Sequence, residues 1–315
     1  VNLAKLYFNM AYYEKGESYA VEAKNIFENE IKNTSHPFYL NCLTALSLIY
    51  GQTGNFEQSE KINLQNLSII EKSMGTNNEK YAGEVNNLGV LYEEFGNFQK
   101  AEISYQKSLD IKEKVSGKNT ENYASTLANL GILYGKTREY GKAEKYLLEA
   151  ISILESTEQT DNRAYSGSLT NLGNVYRNIN QYEKAIENYM KSLSHDEKFG
   201  QTDSPKYAMT LTNLGLAEVE QGNYDKAEPF YLKAKTILNK IFKNVVPVYL
   251  INLFDLAEMY SLKGDFATAE KYFTELSESN QNLLSRAVQH LSESELQKYL
   301  VSFSNKQDAL FSLAH

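Results

Sequence analysis

Catalysis needs nucleophiles, metal ligands or paired acids at usable spacing, and this chain of 315 residues holds few of them. Its one cysteine, Cys42, and its four histidines, His36, His195, His290 and His315, are the candidates for nucleophilic or metal chemistry. His36 stands before Pro37 at a helix start and Cys42 lies on the helix that follows, so a thiolate–imidazole pair is the single arrangement with catalytic sense. The competing reading is a small buried cysteine. The sequence contains no glycine-rich phosphate loop, paired-carboxylate motif or metal-ligand run, so no catalytic residue, cofactor or metal is assigned. A solitary cysteine also excludes an intrachain disulfide and a cysteine-based zinc cluster.

Composition narrows the classes further. With 42% hydrophobic residues the chain can bury a large core, yet it exceeds the size at which one compact core is usual, leaving several domains or one extended stack. Its 32 basic and 40 acidic residues give a net charge of -8, the wrong sign for a nucleic-acid binder or for a protein held on an anionic membrane. No apolar run approaches the ~20 residues of a membrane span. The start VNLAKLYFNM lacks a basic region and a small-residue cleavage site, so the expected location is cytoplasmic, and beginning at Val1 suggests an excised or processed fragment.

The elements that carry these residues follow from a fixed period. An N-L-G element places its leucine at Leu46, Leu88, Leu130, Leu172, Leu214 and Leu256, in steps of 42 residues, with a tyrosine seven residues earlier each time (Tyr39, Tyr81, Tyr123, Tyr165, Tyr207, Tyr249). An aromatic column (Phe56, Phe98, Tyr140, Tyr182, Tyr224, Phe266) and a small-residue column (Ser59, Ala101, Ala143, Ala185, Ala227, Ala269) share that step. Between the leucine and the aromatic lies a turn position held by Gly54, Gly96, Gly222 and Gly264, with Arg138 and Asn180 in two copies. Phe8, Tyr12 and Gly16 mark a degenerate first copy, making seven units.

Each unit reads as two antiparallel helices. Tyr81, Val85, Leu88 and Tyr92 form one apolar stripe at helical period, predicting a first helix over Tyr81–Glu94 and a second over Phe98–Lys114 with Asn97 as its N-cap. Pro37, Pro205 and Pro247 sit two residues before a ladder tyrosine, where proline suits a helix start. Gly89, Gly131, Gly173 and Gly215 each cost about 1 kcal/mol against alanine inside a helix, which close helix packing offsets. A unit cannot bury its stripe alone, so units must stack. Of the 24 tyrosines, those that repeat on the core stripe read as packing residues rather than base-stacking platforms.

The stretch NLGVLYEEFGNFQKAEISYQKSL resembles the tetratricopeptide repeat in its L-G-x-x-Y, turn glycine, aromatic, alanine and second aromatic; the lengthened unit is similar to the kinesin-light-chain type. That resemblance implies an all-α, right-handed superhelical solenoid of about seven helix pairs over residues 1–280, with a capping or connector segment over 281–315. Glu218 departs from the column of Tyr50, Tyr92, Tyr134, Tyr176 and Tyr260, so its packing or exposure must differ.

Helical-wheel geometry turns the residues two, five, nine and thirteen after each ladder tyrosine away from the core stripe, towards the inner surface where repeat proteins bind partners. Asn87, Asn129, Asn171 and Asn213 flank that surface, continued by Asp255 and interrupted by Ala45. Asparagine is a poor helix-interior residue, so the column needs a compensating bond. It either ties neighbouring repeats together or holds the backbone of an extended peptide, and the kinesin-light-chain resemblance implies peptide contact at this position. The binding face is therefore assigned to Asn86, Asn87, Asn129, Asn171, Asn174, Asn178 and Asn213, with a protein or peptide segment as partner. Of the lysines and asparagines with which chaperone-tail-binding repeats clamp a terminal carboxylate, only Asn174 has a counterpart; a mixed apolar and amide surface suits an internal segment better.

After Ser279 the period lapses. Ser292 and Glu295 form a capping box for a helix near Glu293–Val301. The segment LSESELQKYLVSFSNKQDALFSLAH is similar to the connector that follows such repeats in bacterial CHAT proteins, which implies a caspase-like protease domain in cis beyond His315. The leading expectation is a non-enzymatic protein-binding module acting as the sensor or regulatory arm of such a protease. A free-standing adaptor is the first alternative, and a cysteine enzyme using Cys42 and His36 the second.

Overall fold

A computed structural model describes residues 2–9, 13–157, 163–242 and 247–290. The chain divides into two compact units, Val1–Glu139 and Tyr140–His315. Among the described residues the first contains α1 (Asn2–Asn9), α2 (Tyr13–Asn25) continued by a π-helical turn (Ile26–Ile31), α3 (Pro37–Gln52), α4 (Phe56–Met74), α5 (Glu79–Glu94), α6 (Phe98–Ser116) and α7 (Glu121–Lys136). The second contains α8 (Tyr140–Ser156), α9 (Arg163–Asn178), α10 (Tyr182–Lys198), α11 (Pro205–Glu220), α12 (Tyr224–Phe242), α13 (Pro247–Lys263) and α14 (Phe266–His290). All regular structure among these residues is helical. Consecutive helices pack in pairs, and first helices of successive repeats also touch, α3 on α5 on α7 and α9 on α11 on α13.

Helix ends follow local chemistry. Three residues before the ladder tyrosine stands an N-cap whose side chain accepts a backbone N–H: Asn78 from Tyr81 at 2.9 Å, Thr120 from Tyr123 and Ser204 from Tyr207, both at 3.2 Å. Asn97 caps α6 as expected, accepting from Lys100 N–H at 3.2 Å. Pro37, Pro205 and Pro247 each open a helix. The turn glycines have positive φ, and so do their substitutes Arg138 (63°) and Asn180 (59°), which therefore hold a left-handed conformation that glycine adopts without cost. Gly16 lies inside α2 rather than in a turn, so its match to the turn column fails. Tyr12 lies outside the described residues.

The glycine of the N-L-G element has a specific cause. A Cβ on Gly89, Gly173 or Gly215 would meet the ring of Tyr105, Tyr189 or Tyr231 at 2.7, 2.5 and 2.9 Å, closer than any side chain allows. The second-helix tyrosine lies across the first helix at that point, and all three rings are fully buried. The tyrosine after the N-L-G element joins repeats instead. Tyr92, Tyr134, Tyr176 and Tyr260 donate their hydroxyls to Glu60, Glu102, Glu144 and Glu228 at 2.5–2.8 Å, always 32 residues back. Glu218 breaks this column, and Ile186, which stands 32 residues before it, breaks the glutamate column as well. Glu218 is buried and accepts from the Asn223 amide at 2.9 Å, so it is loop-bonded.

Candidate functional site

The first helices leave one face open in each unit. In α5, Gly83, Asn86, Asn87, Val90 and Glu94 remain accessible while Tyr81, Val85, Leu88 and Tyr92 are buried, the division expected from the helical wheel. The thirteenth-residue column (Gln52, Glu94, Lys136, Asn178, Glu220, Leu262) is exposed throughout. Thr170 and Thr212 correct the expected floor, because both are buried. Thr170 shares its hydroxyl with Ser192 and Thr210 at 2.9 and 3.0 Å, and Thr212 accepts from the Asn252 amide at 3.2 Å. Thr44 with Glu84 and Asn86 with Thr126 repeat the same bond between neighbouring first helices, each spanning 40 residues.

Asn86, Asn87, Asn129, Asn174 and Asn213 use one end of the amide inside the protein. Asn129 donates to Asn86 Oδ1 at 3.1 Å and Asn213 donates to Asn174 Oδ1 at 3.0 Å, each reaching the preceding repeat. Asn87 donates to Glu84 Oε2 at 3.3 Å within its own helix. Burial pushes the Glu84 carboxyl up, opposed by hydrogen bonds from Thr44 and Asn87. The carbonyl oxygens of Asn87, Asn129 and Asn213 and the amide groups of Asn86 and Asn174 make no further bond. Asn171, half-buried, and Asn178, exposed, make no side-chain hydrogen bond at all. Donors and acceptors thus remain open in each unit, beside half-buried Val90 in the first and half-buried Leu216 in the second.

A second set of polar residues lies deeper. In the first unit Tyr105 donates to Glu93 Oε2 at 2.8 Å, and Lys136 meets Glu93 Oε1 at 2.7 Å. In the second unit the same two columns carry reversed charge: Arg177 Nη1 meets Glu220 Oε1 at 2.8 Å. Tyr189 donates to Asn174 Oδ1 at 2.8 Å, while the buried Arg177 Nε has no partner. One repeat on, Tyr231 is fully buried, and its hydroxyl is pushed well up by burial first and then by Asp255, Glu258 and Glu220. The Asp255 carboxyl is pushed up to about 7 by burial first and then by Glu258, with Arg177 opposing. Asp255 stands on the asparagine column read from the sequence, whereas Arg177 and Tyr231 did not stand out there; the alternating charge of Glu93–Lys136 and Arg177–Glu220 was the readable signal.

Cys42 is fully buried, and burial pushes its thiol up, away from thiolate character. His36 Nδ1 accepts the Phe38 N–H at 3.2 Å as a helix cap, and its ring stacks on Phe27. Neither has the setting of a nucleophile or its base. No group of three metal-ligating side chains occurs among the described residues, and no helix there is long and apolar enough to cross a membrane. α14 continues through position 281 to His290. The expected helix at Glu293–Val301, the connector-like segment and His315 lie outside the described residues.

Paired antiparallel helices, the tyrosine-over-glycine contact and the stacked first helices define a helical-repeat protein-interaction fold. The tetratricopeptide-repeat family pattern matches residues 81–156 and 164–240, so these repeats are tetratricopeptide repeats. No curated protein sequence matches the chain. Among solved structures it is similar to BtubC (BKLC) from P. vanneervenii (20% identity, TM-score 0.59, 75% of this chain and 92% of that one). It is also similar to a STAND signal-transduction ATPase with a tetratricopeptide repeat sensor from Pyrococcus horikoshii (19% identity, TM-score 0.62, 91% of this chain and 42% of that one). A Rap protein complexed with Competence and Sporulation Factor matches at 16% identity and TM-score 0.62, over 99% of this chain and 87% of that one.

Proposed function

We propose that the chain binds extended polypeptide on the open faces of its first helices, held by Asn86, Asn87 and Asn129 in the first unit and by Asn171, Asn174, Asn178 and Asn213 in the second. The single observation that carries this reading is the division of labour within the amides: one end fixes the neighbouring repeat, and the other is left unbonded beside apolar side chains. An extended backbone offers alternating N–H and C=O groups that match such a row. The Rap structure, which holds Competence and Sporulation Factor, is a related fold with a bound regulator and supports the same reading. Short peptides selected from a displayed library on the whole chain test it. The Asn129→Ala plus Asn171→Ala variant is expected to bind them at least about tenfold more weakly. Undiminished binding would move the ligand to another face.

The same module is proposed to act as the sensor or regulatory arm of a larger CHAT-type protease. The connector-like segment ending at His315 and the tetratricopeptide sensor of the STAND ATPase support this role. Reading the encoding gene beyond His315 tests it. A continuing open reading frame with a caspase-like domain is the expected result, and a stop codon there makes the protein a free-standing adaptor instead.

A further inference from the structure

We propose that a cavity between α3, α4 and α5 of the first unit receives the ammonium end of a lysine side chain of the bound segment. This rests on the polypeptide-binding reading above and names what the segment must carry. Three departures from the repeat columns make the cavity. Where Tyr105, Tyr189 and Tyr231 lay a ring across a first helix, this repeat has Asn63, and where Gly89, Gly173 and Gly215 lie under that ring it has Ser47. In the column that holds Glu93 and Arg177 it has Gly51. Short residues thus stand where other repeats place a ring and a long charged side chain. The space left between Ser47, Gly51 and Asn63 gives the centre of a water-sized group about 10 Å³ of room, enough for one such group. Leu48, Asn87, Val90 and Glu94 carry it out to the open face of the first helices.

Asn63 is the independent observation. It is 2% exposed, its amide makes no hydrogen bond within the protein, and its Oδ1 is buried. A buried polar group without a bond is rare and costly. The atoms beside it are mostly acceptors as well. Ser47 and Ser59 donate their hydroxyls to each other's backbone carbonyls, at 3.1 and 2.6 Å, which leaves their oxygens able to accept. Asn87 donates its amide to Glu84, so its Oδ1 is open too. At the mouth stands the exposed Glu94 carboxylate, which accepts from Gln52 at 3.0 Å. Several acceptors and one carboxylate around a water-sized space match an ammonium group, which carries three donors, no acceptor and a positive charge. A guanidinium has that charge but spreads it over a planar fork too wide for the cavity. The four-carbon stem of lysine can lie on Leu48 and Val90.

The test uses the whole chain, library-selected peptides and the Ser47→Gly plus Asn63→Tyr variant, which restores the ring-over-glycine pair of the other repeats and fills the space. The expected result is a lysine at one fixed position among the selected sequences. Replacing it by norleucine or arginine weakens binding at least about tenfold in the parent and less than about twofold in the variant. A thermal melt no lower than the parent's separates a binding effect from a folding one. Asn63→Leu, which gives this column the residue it has at Leu147, removes the amide alone and is expected to lose the lysine preference in the same way. Peptides with no fixed lysine, or whose norleucine or arginine forms bind the parent equally well, overturn this inference, leave the cavity to a water and leave the groove reading standing. If no peptide binds at all, both fall.

Discussion

In the first unit Glu93 accepts the Tyr105 hydroxyl and the Lys136 ammonium, so donor, acceptor and counter-charge close on one another. In the second, Arg177 and Glu220 occupy the same columns with the charges exchanged, Tyr189 bonds Asn174 instead of a carboxylate, and Arg177 Nε is buried without a partner. The repeats share one scaffold, with a ring over a glycine in both units. They differ in whether the inner polar groups satisfy each other. A closed network stiffens the stack, while an open one carries a desolvation cost that a ligand can offset. In both units an asparagine amide ties a first helix to the preceding one, Asn129 to Asn86 and Asn213 to Asn174.

The shared scaffold breaks most severely at its tightest contact. Gly173→Ala is expected to destabilise the protein by about 2–3 kcal/mol through overpacking against the Tyr189 ring, despite alanine's better helix propensity. Gly83→Ala, with nothing within 4 Å of its added carbon, should instead gain up to about 1 kcal/mol. Urea denaturation of both variants measures the difference, and equal effects would contradict the ring-over-glycine account.

Next in size is the closed hub. Glu93→Ala removes the partner of both Tyr105 and Lys136 and is expected to cost about 2 kcal/mol. Glu258→Ala, which breaks no bond, should change stability by no more than about 0.5 kcal/mol. Comparable losses in the two denaturation curves would erase the contrast between the units.

Asp255 gives that contrast a pH dependence. Its carboxyl is held up to about 7 in the folded protein by burial, then by Glu258, against about 3.9 when unfolded. The folded state therefore keeps a proton that the unfolded chain releases. This group's contribution to stability is full below about pH 4 and falls as pH rises to about 7. Asp255→Asn is expected to match the parent at pH 4 and to exceed it by about 1 kcal/mol at pH 8. Thermal melts across that range read the difference, and parallel curves would place Asp255 in an ordinary solvated setting.

The smallest effect concerns the turns. Arg138 at φ 63° holds a conformation that costs a non-glycine residue about 1 kcal/mol. Arg138→Gly should recover about 0.5 kcal/mol, part of the gain being lost to glycine's greater unfolded-state freedom.

Most of the fold was legible because one period governs it. Tyrosine, leucine and glycine recur at the same step, so helix pairs, turn positions and the buried stripe follow from spacing alone. Helix starts were partly legible: the prolines were read, but the caps His36, Asn78, Thr120 and Ser204 differ in residue type and hide as a column. Glu60, Glu102, Glu144 and Glu228 were equally readable as partners of the tyrosines, and Ile186 with Glu218 shows the pair lost together. Asn87, Asn129, Asn171 and Asn213 are half-buried beside the more open columns. Their inner bonds were not readable, because Asn129 meets the fifth-column Asn86 whereas Asn213 meets the ninth-column Asn174, and no single offset describes both. Arg177 Nε was hidden for another reason: its lack of a partner is a property of packing, which a charge in a repeating column does not reveal.

Asn171 offers the cleanest trial of the binding face, since its amide makes no bond within the protein and its loss has no structural debt to confuse the result. The affinity of a library-selected peptide for Asn171→Ala, measured by fluorescence anisotropy beside the parent, is predicted to fall about tenfold with the melting temperature unchanged within about 2 °C. Equal affinity for parent and variant would contradict the assignment of the asparagine row to ligand binding.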